Sequence, residues 1–412
     1  MLGIYLEVLV LSVEDFSVEM DGNGSKLGRI AAKFEFSQAS HRMQCLEGMR
    51  GVAALLVFFV HFRQAFGGGA GNGLLRYAAT IGHAGVDLFF ALSGFLVYGI
   101  VLKRTFAFWS YFGRRIQRLY PTFAAVFLIY ILVSSTVPQV SKFSRTASFS
   151  ALWLLENLAM LPGVFPIKPL ITVAWSLSYE WLFYLLLPAV VAGLRLRQWT
   201  PRRRTWFFAG CVVLTVALCR SLNLSLNYDR FAMFLAGILV WEWIHQWQPG
   251  HRLPRWGEWL AMAGFAASLA WIGQGSSPNG PALRTYTPVL WLSSSALLVC
   301  TIHSGGILQR VFSWKPFRWT GNMSYSYYLS HGMIIRGIQI ATGLPSRNHL
   351  SPWLLAGLWA GCEVAALAGS VGLYLLVEYP YSIGPRFRPA QPVVSQLSAA
   401  AGERYTERRY VR

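Results

Sequence analysis

Residues 50–61 read RGVAALLVFFVH, an arginine and a histidine separated by ten residues without a polar side chain. Eleven helical steps at about 100° each make roughly three turns and a rise of about 16 Å. On a helix Arg50 and His61 therefore share one face and stand about half a bilayer core apart. From this segment alone a plain reading stays open, with Arg50 snorkelling at one end and His61 wetted at the other. Ionisable groups inside a membrane helix otherwise mark function.

The rest of the chain makes the membrane setting clear. Of 412 residues, 54% are hydrophobic, only 13% are charged, and 17 are Trp. A soluble domain carries about 25% charged residues. The composition is that of a polytopic membrane protein, an all-α helix bundle. The net charge of +19 does not indicate nucleic acid, because the basic residues fall in short clusters between apolar runs, as membrane topology requires. Cys45, Cys211, Cys219, Cys300 and Cys362 contain no CxxC pair. They read as buried small hydrophobes, so neither a metal nor a disulfide framework is implied.

Apolar segments long enough to span, or nearly so, occupy 50–66, 80–102, 119–135, 171–194, 205–222, 230–247, 256–273, 286–304, 322–343 and 353–377. They predict about ten transmembrane helices. The shorter run 149–164, interrupted by Glu156, suits an interfacial helix. Alternate loops differ sharply in charge. One set holds Lys103, Arg104, Arg114, Arg115 and Arg118, then the cluster from Arg195 to Arg204, then Arg252 and Arg255, then Arg310, Lys315 and Arg318. The other set holds scattered single cations such as Arg63, Arg76, Lys168 and Arg284. The positive-inside rule then puts both termini in the cytoplasm, in a multi-pass protein of the cell membrane. Residues 1–45 read as a poorly ordered cytoplasmic tail, 46–388 as the transmembrane domain and 389–412 as a second cytoplasmic tail.

This orientation sets depths. His61 ends its helix near the outer face, and His83 and Asp87, four residues apart on the next helix, share that level. Neutral imidazole is a natural general base at neutral pH, and an adjacent carboxylate orients it. Glu180, within WSLSYEWLFYLLLP, lies near the middle of its helix. An unpaired charge there costs about 2.5–3.5 kcal/mol on insertion scales, so it predicts a partner, with Arg50 one candidate and Glu47, three residues before it, another. A structural ion pair or a packed His–Asp couple would explain the same residues. Ser324, Tyr328 and His331 form one stripe of NMSYSYYLSHGMIIR, where Tyr and Ser neighbours could satisfy the histidine. Arg115 and Arg118, three apart in YFGRRIQRLYP, make one basic face. Topology alone would account for it, while arginine forks also suit a phosphate-bearing donor.

These residues match a known pattern. LEGMRGVAALLVFFVHF (46–62) resembles the first helix of the acyltransferase-3 family of integral-membrane O-acyltransferases, with its Arg-x10-His pair. GVDLFFALSGFLV (85–97) is similar to the family's second-helix signature. FGRRIQRLYP (112–121), WSLSYEWLFYLLLP (175–188), GNMSYSYYLSH (321–331) and VEYP (377–380) resemble its later blocks, in the same order over roughly 46–385. The resemblance implies transfer of an acyl group, commonly acetyl, from cytoplasmic acyl-CoA to a hydroxyl of a sugar, glycolipid, polysaccharide or macrolide-like acceptor. It implies that Arg50 and His61 are essential and that Arg115 and Arg118 are donor-side residues. VEYP lies close to the end of the 412-residue chain, so the resemblance is to the standalone form without an SGNH hydrolase-like domain. The sequence departs from many relatives at Glu180-Trp181, where a second acidic residue would follow the first.

The expected mechanism has His61 deprotonating the acceptor hydroxyl, which attacks the thioester directly, with a covalent acyl-His61 relay as the lesser variant. Arg50, Asp87 and Glu180 complete the catalytic set. Arg114, Arg115, Arg118 and Ser93 are expected around acyl-CoA, and His83, Trp175, Tyr325, Tyr328 and His331 around the acceptor. A proton-coupled transporter or flippase would use similar residues; the absence of a visible internal repeat counts against it.

Overall fold

All ten predicted apolar segments fall on helices in the computed structural model, as they must where lipid offers the backbone no hydrogen bonds. The structure describes residues 26–35, 41–67, 73–103, 105–137, 151–222, 230–246, 254–273, 281–303, 305–344 and 350–383. The expected tail 389–412 and the start of the first tail lie outside them. Among the described residues there is no β-strand.

The helices are α1 (Lys26–Phe34), α2 (His41–Phe66), α3 (Gly73–Gly82), α4 (Ala84–Val101), α5 (Phe108–Thr136), α6 (Ala151–Leu158), α7 (Trp175–Gly193) and α8 (Pro201–Ser221). There follow α9 (Phe231–Gln246), α10 (Arg255–Gly273), α11 (Pro281–His303), α12 (Ile307–Phe312), α13 (Lys315–Asn322), α14 (Ser324–Thr342) and α15 (Pro352–Leu373). A π-helical segment, Tyr374–Ile383, continues α15. Among the described residues six helical segments are long and apolar enough to cross a membrane: Gln44–Phe66, Gly73–Val101, Phe108–Thr136, Thr172–Gly193, Pro201–Ser221 and Pro352–Ile383. Phe231–Gln246 and Pro288–His303 are shorter apolar helices.

The helices bearing functional candidates are locked by close backbone approaches, the usual means of helix association in lipid. A Cβ added at Gly94 of α4 would sit 2.0 Å from the Phe234 carbonyl of α9, and one at Gly237 of α9 would sit 1.9 Å from the Ala91 carbonyl. Gly51 of α2 and Gly321 of α13 do the same for each other's helices, at 2.1 Å from Phe317 O and 1.8 Å from Glu47 O. Arg50 is therefore fixed by the residue beside it.

Part of the segment expected to be a loose tail is docked. Phe34 at the end of α1 is buried and stacks on Tyr374, ring centroids 4.7 Å apart. The Tyr374 hydroxyl donates to Lys33 O at 2.7 Å, and Trp319 Nε1 donates to Glu35 at 3.0 Å. The reason is local: KLGRIAAKF sets Ile30, Ala31 and Phe34 on one helical face, and that face packs against α13 and the π segment.

Candidate active site

A cavity of about 110 Å³ lies between α2, α4, α5, α7 and α14. Its polar wall is Arg50 from α2, Ser93 from α4, Arg115 and Arg118 from α5, Ser176, Glu180 and Tyr184 from α7, and Ser324, Tyr325 and Tyr328 from α14. Phe89, Phe90, Leu92, Leu96 and Leu177 are among its apolar lining. Several apolar walls with a few convergent polar groups make the usual form of a small-molecule site.

Each carboxylate near the cavity is engaged. Glu180 accepts from Ser93 Oγ at 2.8 Å and from the Tyr184 hydroxyl. Glu378, fully buried in the π segment, accepts from Arg118 Nη1 at 2.7 Å, from Ser326 N at 3.0 Å and from Ser326 Oγ at 2.5 Å. The guanidinium groups are not all engaged. Arg115 lies over the rings of Tyr111 and Tyr184, 5.3 and 5.0 Å from their centroids, and its buried Nε has no hydrogen-bond partner. Among the described residues Arg50 and Arg115 have no carboxylate within ion-pair distance. Three cations thus face one cavity carboxylate, Glu180, and Arg118 alone is matched, by Glu378 behind the wall. An anion is the ligand this excess suits, because buried charges are otherwise paired.

Beyond the Tyr328 wall lies a second group. The Tyr328 ring is 6.0 Å from the His331 ring, and His331 is 5.0 Å from His61 in an edge-on contact. His61 itself does not line the cavity. Its Nδ1 pairs with Gln64 Oε1 at 3.1 Å. Tyr328 is held by Ser176 at 2.7 Å and donates to Val173 O at 3.1 Å, and it meets Phe89 edge-on at 6.0 Å. Tyr328 thus borders both the cationic cavity and the imidazole pair.

The sequence expectations divide accordingly. Arg50, Ser93, Glu180, Arg115, Arg118, Tyr325 and Tyr328 meet around one cavity. Arg114 does not: it is exposed and donates to Ser110 Oγ at 2.5 Å, because its position on α5 turns it away from the Arg115–Arg118 face. Asp87 pairs with Arg230 at 3.7 Å rather than with a histidine. His83 takes Arg230 on its carbonyl at 3.3 Å, and Trp175 lies under the same guanidinium at 5.7 Å. Asp87, His83 and Trp175 therefore gather around Arg230, a cation just before α9 that spacing within one helix could not nominate. Glu47 is taken by Arg318 at 3.3 Å, leaving Arg50 to the cavity. The expectation that Ser and Tyr neighbours satisfy His331 holds for one ring nitrogen only, since Nε2 is buried without a partner.

Two acids have no role assigned from the sequence: Glu378, whose signal is a lone carboxylate two residues before Pro380 in an apolar run, and Glu363, the one charged residue of α15, whose carboxylate accepts from the Tyr327 hydroxyl at 2.8 and 3.0 Å.

A multi-pass bundle of apolar helices around a buried, cation-rich cavity is the build of a membrane protein with a small-molecule site. Comparison with known proteins gives the class. The family described as an acyltransferase domain matches residues 43–375, and the chain belongs to this acyltransferase-3 family. It is 24% identical over 340 residues to the putative peptidoglycan O-acetyltransferase YrhL of Bacillus subtilis, covering 70% of this chain and 48% of that protein. It is 26% identical over 367 residues to the acyltransferase MdmB of Streptomyces mycarofaciens, covering 82% of this chain and 91% of the relative. Against the peptidoglycan O-acetyltransferase OatA of Listeria monocytogenes it is 25% identical over 327 residues, covering 70% and 49%. The chain thus spans about half the length of the two peptidoglycan enzymes and nearly all of MdmB. No solved structure matches.

Proposed function

We propose that the chain is an O-acyltransferase that moves an acyl group from acyl-CoA to a hydroxyl of a carbohydrate or similar acceptor, with His61 as general base. The observation that carries this reading is the pair of unmatched guanidiniums, Arg50 and Arg115, in a cavity whose far wall, Tyr328, adjoins the His331–His61 couple. The phosphates of the donor bind at the arginines, and the pantetheine arm carries the thioester toward the imidazoles. The relatives named O-acetyltransferases favour acetyl as the acyl group. Movement of the Tyr328–Phe89 wall opens the last step to His61. The acceptor oxygen then attacks the thioester carbonyl, the C–S bond breaks, and the proton taken up by His61 goes to the departing thiolate. Glu180 holds Ser93 and Tyr184 in the donor wall. The acceptors named for the relatives favour peptidoglycan or another glycan. Ten membrane crossings with both termini in the cytoplasm would bring the arginines to the side where acyl-CoA is made.

The test is transfer of radiolabelled acetyl from acetyl-CoA to glycan acceptors by the purified chain in proteoliposomes. Labelled ester is expected. Acceptor flux across the vesicle without donor consumption would refute the reading and leave a carrier in its place.

A further inference from the structure

The imidazole of His331 has an unusual environment for a residue with no exposed surface. Its Nδ1 lies 2.8 Å from the Tyr327 carbonyl, one helical turn earlier. A carbonyl only accepts, so Nδ1 carries the proton and Nε2 is left with a bare lone pair. That Nε2 is buried and has no hydrogen-bond partner. A buried polar atom without a partner is costly, and native structures rarely keep one without use. The ring is also held rigidly: Tyr327 stacks on it at 5.4 Å with an interplanar angle of 8°, Tyr328 flanks it, and the Tyr327 hydroxyl is tied to Glu363. His61 meets it edge-on at 5.0 Å. His61 is set in the same tautomer, since its Nδ1 faces the Gln64 amide oxygen, which again leaves Nε2 as the base. The two rings touch with no hydrogen bond between them, each Nδ1 proton being committed elsewhere, so a small rotation that turns the two Nε2 atoms toward each other lets them hold one proton between them.

We propose that His331 is a positioning residue that shares with His61 the proton removed from the acceptor hydroxyl. This rests on the acyl-transfer reading above. In the transfer step the acceptor O–C bond forms as the C–S bond breaks. The hydroxyl proton passes to His61, is shared with His331 Nε2 while the tetrahedral centre exists, and is returned to the thiolate sulfur. No proton is gained or lost overall. His331 touches neither substrate; it keeps the imidazolium from standing alone in an apolar layer, where a single charge is expensive.

The experiment uses the full chain in proteoliposomes with acetyl-CoA and a glycan acceptor on which the wild type is active. His331→Ala is expected to lower kcat by about 100-fold, at the low end of what a proton-transfer group contributes, with KM for acetyl-CoA within about twofold. Imidazole added to this variant fills the vacated space with a base and is expected to restore turnover. Pyrazole, of the same shape but far weaker as a base, is expected not to. His331→Gln, which keeps an N–H for the Tyr327 carbonyl, is expected to be as slow as His331→Ala. Equal rescue by pyrazole, or a His331→Gln enzyme within about threefold of wild type, would overturn the proposal by reducing His331 to a spacer. A wild type that transfers no acetyl would instead sink the underlying reading.

Discussion

Helix α2 serves two neighbourhoods built on opposite principles. Around Arg50 the wall is charged, and carboxylates are saturated by hydroxyls, amides and Arg118 while guanidiniums are left over. Around His61 the neighbours are neutral rings and amides, namely His331, Phe62 and Gln64, and the nearest acid of that cluster, Glu363, reaches it only through Tyr327. The first arrangement suits an anion. The second can move a proton without a fixed charge competing for it. In the proposed reaction one helix joins a binding end to a reacting end, and the roughly 16 Å rise between them is of the order a pantetheine arm spans.

Substitutions should separate the two ends. The largest effect is expected from His61→Ala, a loss of about 1000-fold in kcat with unchanged donor affinity, read by acetyl transfer at saturating donor. Next is Glu378→Ala, which strands Arg118 and the Ser326 groups in the interior. Breaking a buried pair costs about 3–5 kcal/mol, seen as an earlier unfolding transition in detergent, with activity lost through folding. Arg115→Ala removes a cation of the proposed donor site, and a charge-assisted contact worth about 1.5–3 kcal/mol predicts a 10–100-fold rise in KM for acyl-CoA. Its kcat at saturation is expected to change little. The smallest effect belongs to Arg114→Ala, one residue away but exposed and bonded to Ser110; its KM should stay within about twofold, since a surface polar contact contributes under about 1 kcal/mol. Equal effects of Arg114 and Arg115 would reduce the donor end to diffuse positive charge.

How far the sequence revealed this depends on the range of the contact. Apolar runs announce helices because lipid forces every backbone group into local bonds, so all ten segments were visible. Stripes within one helix were also visible, and Arg115–Arg118 and Ser324–Tyr328 do face the cavity. Pairs between distant segments were not. Asp87 with Arg230, Glu47 with Arg318, and Arg118 with Glu378 join residues that no helical period connects. Arg114 and Arg115 look alike in a string of letters, yet a 100° turn sends one to the surface and the other into the wall. The docked α1 was missed because a nine-residue helix is too short to hold by itself and owes its order to Trp319 and Tyr374.

The central claim is that donor capture and proton transfer reside at different ends of α2. Equilibrium binding of acetyl-CoA to the His61→Ala protein tests it most directly. Wild-type affinity in a protein that transfers no acetyl is the predicted result. Loss of saturable binding in that variant, or transfer at the wild-type rate, would contradict the account.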